Sequence, residues 1–377
     1  MLDVDASTRR IQRLFGDPGD IAGAGQGHES LLMRQGQPGE ADARAIERLL
    51  CQAPLMLSDS ERGGIAQGLV NQARQALLEL AGGTRPDLLQ DGQRLGLEAI
   101  MQARGRPSLR VLDDGIEDLR LHPGAEVWQA VADLHQQAIF DACQSTAAVR
   151  VRDLQFSYSP WVQGSAWMVA PGLAMTNRHV LFPPGGRPLV ARSAATAGAR
   201  ILASFEVTLD FAFQQATTQD RRYRVVGVPF VAADNDPVDV ALLQIEHISG
   251  PQIAPLSLSR QPTQTIGQLY VVGHPGRVNA LSDEIRCVFG DPDERKRVSF
   301  GQPLNGDVAD AGELLHDAST IGGFSGGPVL AFLDSEVRAL HYWGDPLAGN
   351  RAIAAQTLWQ HSQLSAVLAC TNGAQAC

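Results

Sequence analysis

Two kinds of hydrophobic spacing divide this chain. Between about Glu40 and Cys143 apolar residues recur at three- and four-residue intervals: Ala45, Ile46, Leu49 and Leu50, then Ile65, Leu69, Ala73, Leu77 and Leu80. That is the stripe of an amphipathic helix. Ser58 and Ser60 precede the second run, either suits its N-cap, and Gly82-Gly83 ends it. A third helix is predicted from Pro86 to about Ala103. Ser108 to Leu112 reads as a short strand followed by an Asp-Asp-Gly turn. Val127, Val131, Leu134 and Ile139 predict a further amphipathic helix ending near Cys143.

From about Ala147 the pattern changes to short runs suited to strands. They are Val149–Val151, Ala166–Ala170, Leu173–Thr176, Ile201–Val207, Tyr223–Val231, Val240–Ile245, Gln268–Val272, Ile285–Val288, Pro328–Leu333 and Val337–Tyr342. Many short strands separated by turn residues predict β-barrels or sandwiches. Thr357 to Leu368 returns to helical spacing. The predicted fold class is therefore α+β and multidomain. A tail rich in Gly, Gln, Asp and Pro covers 1–40, a mostly helical domain 41–145, and a β-rich domain 146–377.

Composition narrows the function classes. The net charge of −10 argues against general nucleic-acid binding, which needs a basic footprint. The N-terminus carries acids early and has no apolar run, so no secretory signal is read there and a cytoplasmic location is expected. No stretch has the length of a membrane-spanning helix, and no membrane partner is expected. The five cysteines are Cys51, Cys143, Cys287, Cys370 and Cys377; their odd count and scattered spacing suggest free thiols rather than a disulfide framework. Gly23, Gly25 and Gly27 follow no predicted strand, so they do not read as a phosphate loop. The helical domain shows no metal-ligand spacing, and no metal or cofactor is expected.

The candidate chemistry lies in the β-rich part. Gly322-Gly323-Phe324-Ser325-Gly326-Gly327-Pro328 is a turn built around a serine. Glycines permit a backbone that aims successive N–H groups into one concavity, as an oxyanion hole requires. Upstream lie Thr176-Asn177-Arg178-His179-Val180 and Asp239-Val240-Ala241-Leu242-Leu243. A serine hydroxyl needs an adjacent base to act as a nucleophile. His179 is the candidate base, with Asp239 as its orienting carboxylate and Asp234 and Asp236 as rivals for that role.

The order His, Asp, Ser is that of chymotrypsin. From about Ala147 to Cys370 the chain resembles the chymotrypsin-like serine peptidases, and most of all the bacterial branch that includes the glutamyl endopeptidases. Asp239 is favoured because Asp-Val-Ala-Leu-Leu resembles the Asp-Ile-Ala-Leu-Leu of family members. The resemblance implies two six-stranded antiparallel barrels, with His179 and Asp239 on the first, Ser325 on the second and the site between them. It implies oxyanion donors from the backbone of Gly323 and Ser325. Phe324 departs from the pattern: trypsin-like zymogens carry an Asp there, which pairs with a newly cut N-terminus, and Phe324 cannot.

Ser319 stands where trypsin places the Asp that selects Arg and Lys. Ser319, Thr320 and His341 are the expected specificity pocket. A hydroxyl and a histidine are what the glutamyl endopeptidases use to hold an acidic side chain, whereas Asp317 and Asp345 would oppose one. The function this implies is a serine endopeptidase acting on protein or peptide substrates. Its N-terminal domain would regulate it or recruit a protein partner. The alternatives are a catalytically silent peptide-binding scaffold and a peptidase that processes its own chain.

Overall fold

The computed structural model describes residues 38–372, except 53–56, 82–83, 85–88, 91, 94–95, 97–98, 101–105, 123–124, 157–158, 218, 277–292, 304–311, 321 and 344–349. Helices α1 (Glu40–Gln52) and α2 (Asp59–Ala81) pack through Ala43, Ile46, Leu50, Leu69, Val70, Ala73 and Leu77. Ile46, Leu50, Leu69, Ala73 and Leu77 are among the positions that helical spacing singles out. The α2 N-terminus is a reciprocal capping box: the Ser58 N–H donates to Glu61 Oε2 at 2.8 Å and the Glu61 N–H to Ser58 Oγ at 3.3 Å. The helix predicted over 86–103 and the strand predicted over 285–288 lie largely or wholly outside the described residues.

Strands β1 (Ser108–Leu112) and β2 (Gly115–Ile116) form a hairpin turned at Asp113 and Asp114, whose φ values are 50° and 67°. Two successive residues in the left-handed region make the turn that matches strand twist, and Asp tolerates it better than most residues do. The single helix predicted around Val127 is broken. A 3₁₀ turn (Ala125–Trp128) leads to α3 (Gln129–Leu134) and, after His135, to α4 (Gln136–Ser145). The break rotates the stripe, so Ile139 is buried while Val127 and Leu134 are 70% and 78% exposed.

The first barrel comprises β3 (Thr146–Asp153), β4 (Trp161–Ala170), β5 (Leu173–Thr176), β8 (Phe205–Asp210), β9 (Arg222–Val231) and β10 (Ala241–Ser249). A short helix, α5 (Arg178–Leu181), and the small pair β6 (Val190–Arg192) and β7 (Ala199–Ile201) lie between β5 and β8. The order β3-β4-β5-β10-β9-β8 returns to β3, so the ring closes through antiparallel pairing on every side. Its interior holds Val149, Val151, Met168, Ala174, Val207, Leu209, Val225, Leu243 and Ile245. Alternation along the strands puts them inside.

The second barrel comprises β11 (Leu269–Gly273), β12 (Arg297–Gly301), β13 (Glu313–His316), β14 (Pro328–Ala331), β15 (Val337–Trp343) and β16 (Asn350–Ala354). Five neighbouring pairs form ladders; the sixth side closes through the bridge Pro303↔His316 and the Asp317 N–H to Gln302 O bond of 3.1 Å. Strands β12, β13 and β16 were not among the expected runs, because charged and polar residues interrupt their apolar pattern. The C-terminal helix is split at His361 into α6 (Ala355–Gln360) and α7 (Ser362–Asn372).

The β1–β2 hairpin does not stand apart from these barrels. β1 pairs with β12 in the register Ser108↔Ser299, extending the second barrel's sheet, and the Gln215 N–H on the first barrel's side donates to Val111 O at 2.9 Å. Asp114 in the turn meets Arg221 at 2.6 Å, both side chains buried. Lys296, the only lysine in the sequence, is fully buried at this junction. Its Nζ donates to Cys143 O at 2.5 Å and Phe211 O at 2.6 Å. Burial pushes its pKa down to about 8. Among the described residues no helix is long and apolar enough to cross a membrane.

Candidate active site

β5 ends at Thr176, and the chain turns through Asn177 into α5, which carries His179. Asp239 lies just before β10, the strand paired with β5, so one ladder brings the two residues together. Asp239 grips the histidine at two points. The His179 N–H donates to Oδ1 at 3.0 Å, and His179 Nδ1 lies 2.5 Å from Oδ2. Asn177 Nδ2 donates to Asp239 O at 2.8 Å and ties the two loops again.

Burial acts to raise the Asp239 carboxyl, but the hydrogen bonds and charge of His179, helped by Arg178, outweigh it and hold the pKa below the usual carboxylate value. Asp236 is committed elsewhere, to His361 Nε2 at 2.8 Å, and Asp234 to Arg192. Neither rival meets His179.

Ser325 follows Phe324, whose ring is fully buried in the second barrel with Leu269, Val271, Val329 and Ala339. A Cβ on Gly273 would stand 2.6 Å from that ring, so glycine there makes room for the phenylalanine. The loop is thus anchored by packing at the position where an acid would need a charged partner. Gly326 has φ 87°, and a Cβ on it would fall 2.0 Å from Ser165 O. Gly164 on β4 comes against both halves of the site: a Cβ there would lie 2.7 Å from Val180 Cγ2 and 3.1 Å from Ser325 O. The histidine helix and the serine turn therefore meet across one strand.

The loop before Ser325 is tied down on both sides of Gly323. The Gly276 N–H donates to Gly322 O at 2.6 Å. In a trans peptide the carbonyl and the next N–H point opposite ways, so this bond turns the Gly323 N–H away from Gly276. On the other side, Ser165 Oγ donates to Gly323 O and accepts from the His274 N–H, both at 2.9 Å. Ser165 and Gly276 were not anticipated. The sequence signal for Ser165 is slight: a hydroxyl beside a glycine at the start of an apolar strand.

Residues 164–340, a span that includes His179, Asp239 and Ser325, match the trypsin-like peptidase domain family. That stretch is a trypsin-like peptidase domain. The chain is 26% identical over 336 residues to a probable serine protease of Lysobacter enzymogenes, covering 82% of this chain and 84% of that one. A serine endoprotease structure from Yersinia pestis covers 61% of this chain and 66% of its own at 20% identity, with a TM-score of 0.38. A protease structure from M. tuberculosis, in its active form, covers 62% and 85% at 18% identity, also with a TM-score of 0.38.

Of the expected pocket residues in this peptidase, Ser319 and His341 are buried and Thr320 is half-buried. His341 on β15 exchanges backbone hydrogen bonds with the serine loop: its O accepts from the Gly326 N–H at 2.8 Å, and its N–H donates to Gly327 O at 3.0 Å. Its ring Nδ1 lies 3.3 Å from Nε2 of His316. Burial first, then the neighbouring His316 and His179, holds the His341 pKa well below the ordinary histidine value. Thr320 Oγ1 is buried with no hydrogen-bond partner among the described residues. Ser319 Oγ donates to Arg106 O at 2.9 Å, so its hydroxyl is engaged by the N-terminal region. Asp317 is held by Arg106 at 2.8 Å, while Asp345 lies outside the described residues. Arg106 and His316 are the residues near the pocket that sequence reasoning missed. Among the described residues no group of three or more His, Cys, Asp or Glu side chains could hold a metal.

Proposed function

We propose that this serine peptidase cleaves peptide bonds through His179, Asp239 and Ser325. The carrying observation is the two-point grip of Asp239 on His179, which leaves Nε2 as the ring nitrogen free to serve a nucleophile. Ser325 Oγ gives its proton to that nitrogen as it attacks the scissile carbonyl carbon. The oxyanion that forms is met by the Gly323 and Ser325 N–H groups. The imidazolium, stabilised by Asp239, then returns the proton to the leaving amine. Water repeats the cycle on the acyl-enzyme. A loop oriented by Gly276 and Ser165 and anchored by Phe324 supports an oxyanion site formed without a cut N-terminus.

For the residue before the scissile bond we propose an acidic side chain. The support is the Thr320 hydroxyl, which has no partner among the described residues, together with His341, whose Nε2–H is a donor in the tautomer that accepts from His316. Pairing of Asp317 with Arg106 compensates the charge that would repel such a substrate. The helices α1 and α2 form their own small core, which supports a recruiting or regulatory rather than catalytic role.

A fluorescent fluorophosphonate tests the triad, because only an activated serine reacts with it. The wild-type chain should label at Ser325 and cleave peptides. Ser325→Ala should lose labelling and about a millionfold in kcat while keeping its melting temperature. A wild-type protein that binds peptides without labelling is a silent scaffold. A rise in fragments of its own mass, with no cleavage of added peptides, indicates self-processing.

A further inference from the structure

The segment leading to the nucleophile is fastened to a residue far upstream in the chain. Arg106 Nη2 meets Asp317 Oδ2 at 2.8 Å, and the Arg106 carbonyl accepts from Ser319 Oγ at 2.9 Å. The other Asp317 oxygen accepts from the Gln302 N–H at 2.6 Å, where the second barrel closes. Asp317 and Ser319 are 3% and 1% exposed, so these bonds lie away from water. Arg106 is itself held, its guanidinium 5.3 Å from the centroid of the buried Trp128 ring. Two residues on, Ser108 enters the ladder with Ser299, and the two hydroxyls are 3.1 Å apart.

We propose that Arg106 is a positioning residue for the primary specificity pocket, with the N-terminal region supplying the floor on which residues 317–320 are laid. The inference rests on the reading above, in which Ser325 is the nucleophile and Thr320 faces the substrate. Two consequences of the geometry carry it. Because the Arg106 carbonyl takes the Ser319 hydroxyl, Ser319 is fixed and Thr320 is the hydroxyl left to bind substrate. Because Arg106 neutralises a buried carboxylate, Asp317 can sit beneath the pocket without swinging out to water. Without the guanidinium, that carboxylate gains hydration only by moving the loop, and Thr320 moves with it. The damage should fall on substrate recognition more than on the reactivity of Ser325.

The test uses the full chain with Arg106→Ala, Arg106→Lys and Asp317→Asn. Peptides identical except for Glu, Gln, Ala, Leu or Arg before the scissile bond are cleaved, and labelling by the fluorophosphonate is timed in parallel. Arg106→Ala should lose about tenfold or more in kcat/KM on the preferred peptide, chiefly through KM, and the ratio between best and worst peptides should shrink. Labelling should fall by a factor about fivefold smaller than cleavage does. Arg106→Lys should recover part of the selectivity, since it keeps the charge that pairs with Asp317.

An unchanged peptide ratio in Arg106→Ala overturns the inference, as does a parallel fall of cleavage and labelling. If Arg106→Ala does not fold, an unchanged ratio in both Arg106→Lys and Asp317→Asn overturns it as well. Wild-type protein that does not label refutes the triad reading and takes this inference with it. Labelled wild type with unaltered variants removes the inference alone.

Discussion

The two barrels present their parts of the site in different ways. The first closes on itself through antiparallel pairing on all six sides, and the strands it uses already bring His179 and Asp239 together. Its half of the site is set by pairing within that one barrel. The second barrel closes one side by a single bridge at Pro303 and His316, and its serine loop is steadied from three directions. Phe324 anchors it from within, Ser165 reaches over from the first barrel, and Arg106 holds the preceding segment from the N-terminal region. A pair set by one ladder is local and robust. A loop that must aim backbone N–H groups needs support on every flank, and that support is gathered from distant parts of the chain.

The largest effect expected from breaking this contrast is on the first barrel's own pair. Asp239→Asn keeps the shape but removes the charge and favours the wrong imidazole tautomer, so kcat should fall by about ten-thousandfold at neutral pH. The fold should survive, as judged by an unchanged circular dichroism spectrum. A loss under tenfold would mean that Asp239 does not serve His179.

The link between the barrels should matter less. Ser165→Ala removes the hydroxyl that joins the His274 N–H to Gly323 O. Loosening an oxyanion donor is milder than deleting one, so kcat should drop by about tenfold to a hundredfold with KM nearly constant. A change in KM alone would show that the hydroxyl serves binding rather than the transition state.

The smallest effect concerns the junction of both barrels with α4. The Lys296 pKa is pushed down, by burial first, to about 8. The unfolded chain therefore binds more protons than the folded one between that value and the ordinary lysine range. Stability from this group rises with pH across that window and is lost again as pH falls through about 8. Urea midpoints measured from pH 7 to 11 should show that rise in the wild type, and Lys296→Met should lack it. Equal pH profiles for the two proteins would refute the assignment.

Much of the candidate site was legible from sequence because its residue types stand in recognisable local context. A histidine after Thr-Asn, an aspartate before an apolar strand and a serine among glycines can each be read within a few positions. Strands with near-regular alternation, such as β9, were legible for the same reason. β12 and β13 were not: Arg297, Ser299 and His316 are polar, yet they are buried by partners that only the closed sheet supplies. Ser165 and Arg106 were hidden likewise, since a hydroxyl and a guanidinium acquire these roles from what lies across the fold.

The sequence by itself determined the periodicities, hence helices followed by many short strands, and the order of His179, Asp239 and Ser325 along the chain. Those are properties of neighbours along the chain, set by backbone geometry and side-chain chemistry. Sequence context favoured Asp239 among three nearby aspartates, and the physical reason lies in the tertiary structure, which commits Asp234 and Asp236 to Arg192 and His361. The tertiary structure alone decided that Phe324 packs where an acid would need a cation, and that Arg106 pairs with Asp317 from far upstream in the chain. Such choices depend on distance in space. Burial makes each polar group seek the partner nearest to it in the fold, wherever that partner lies in the chain.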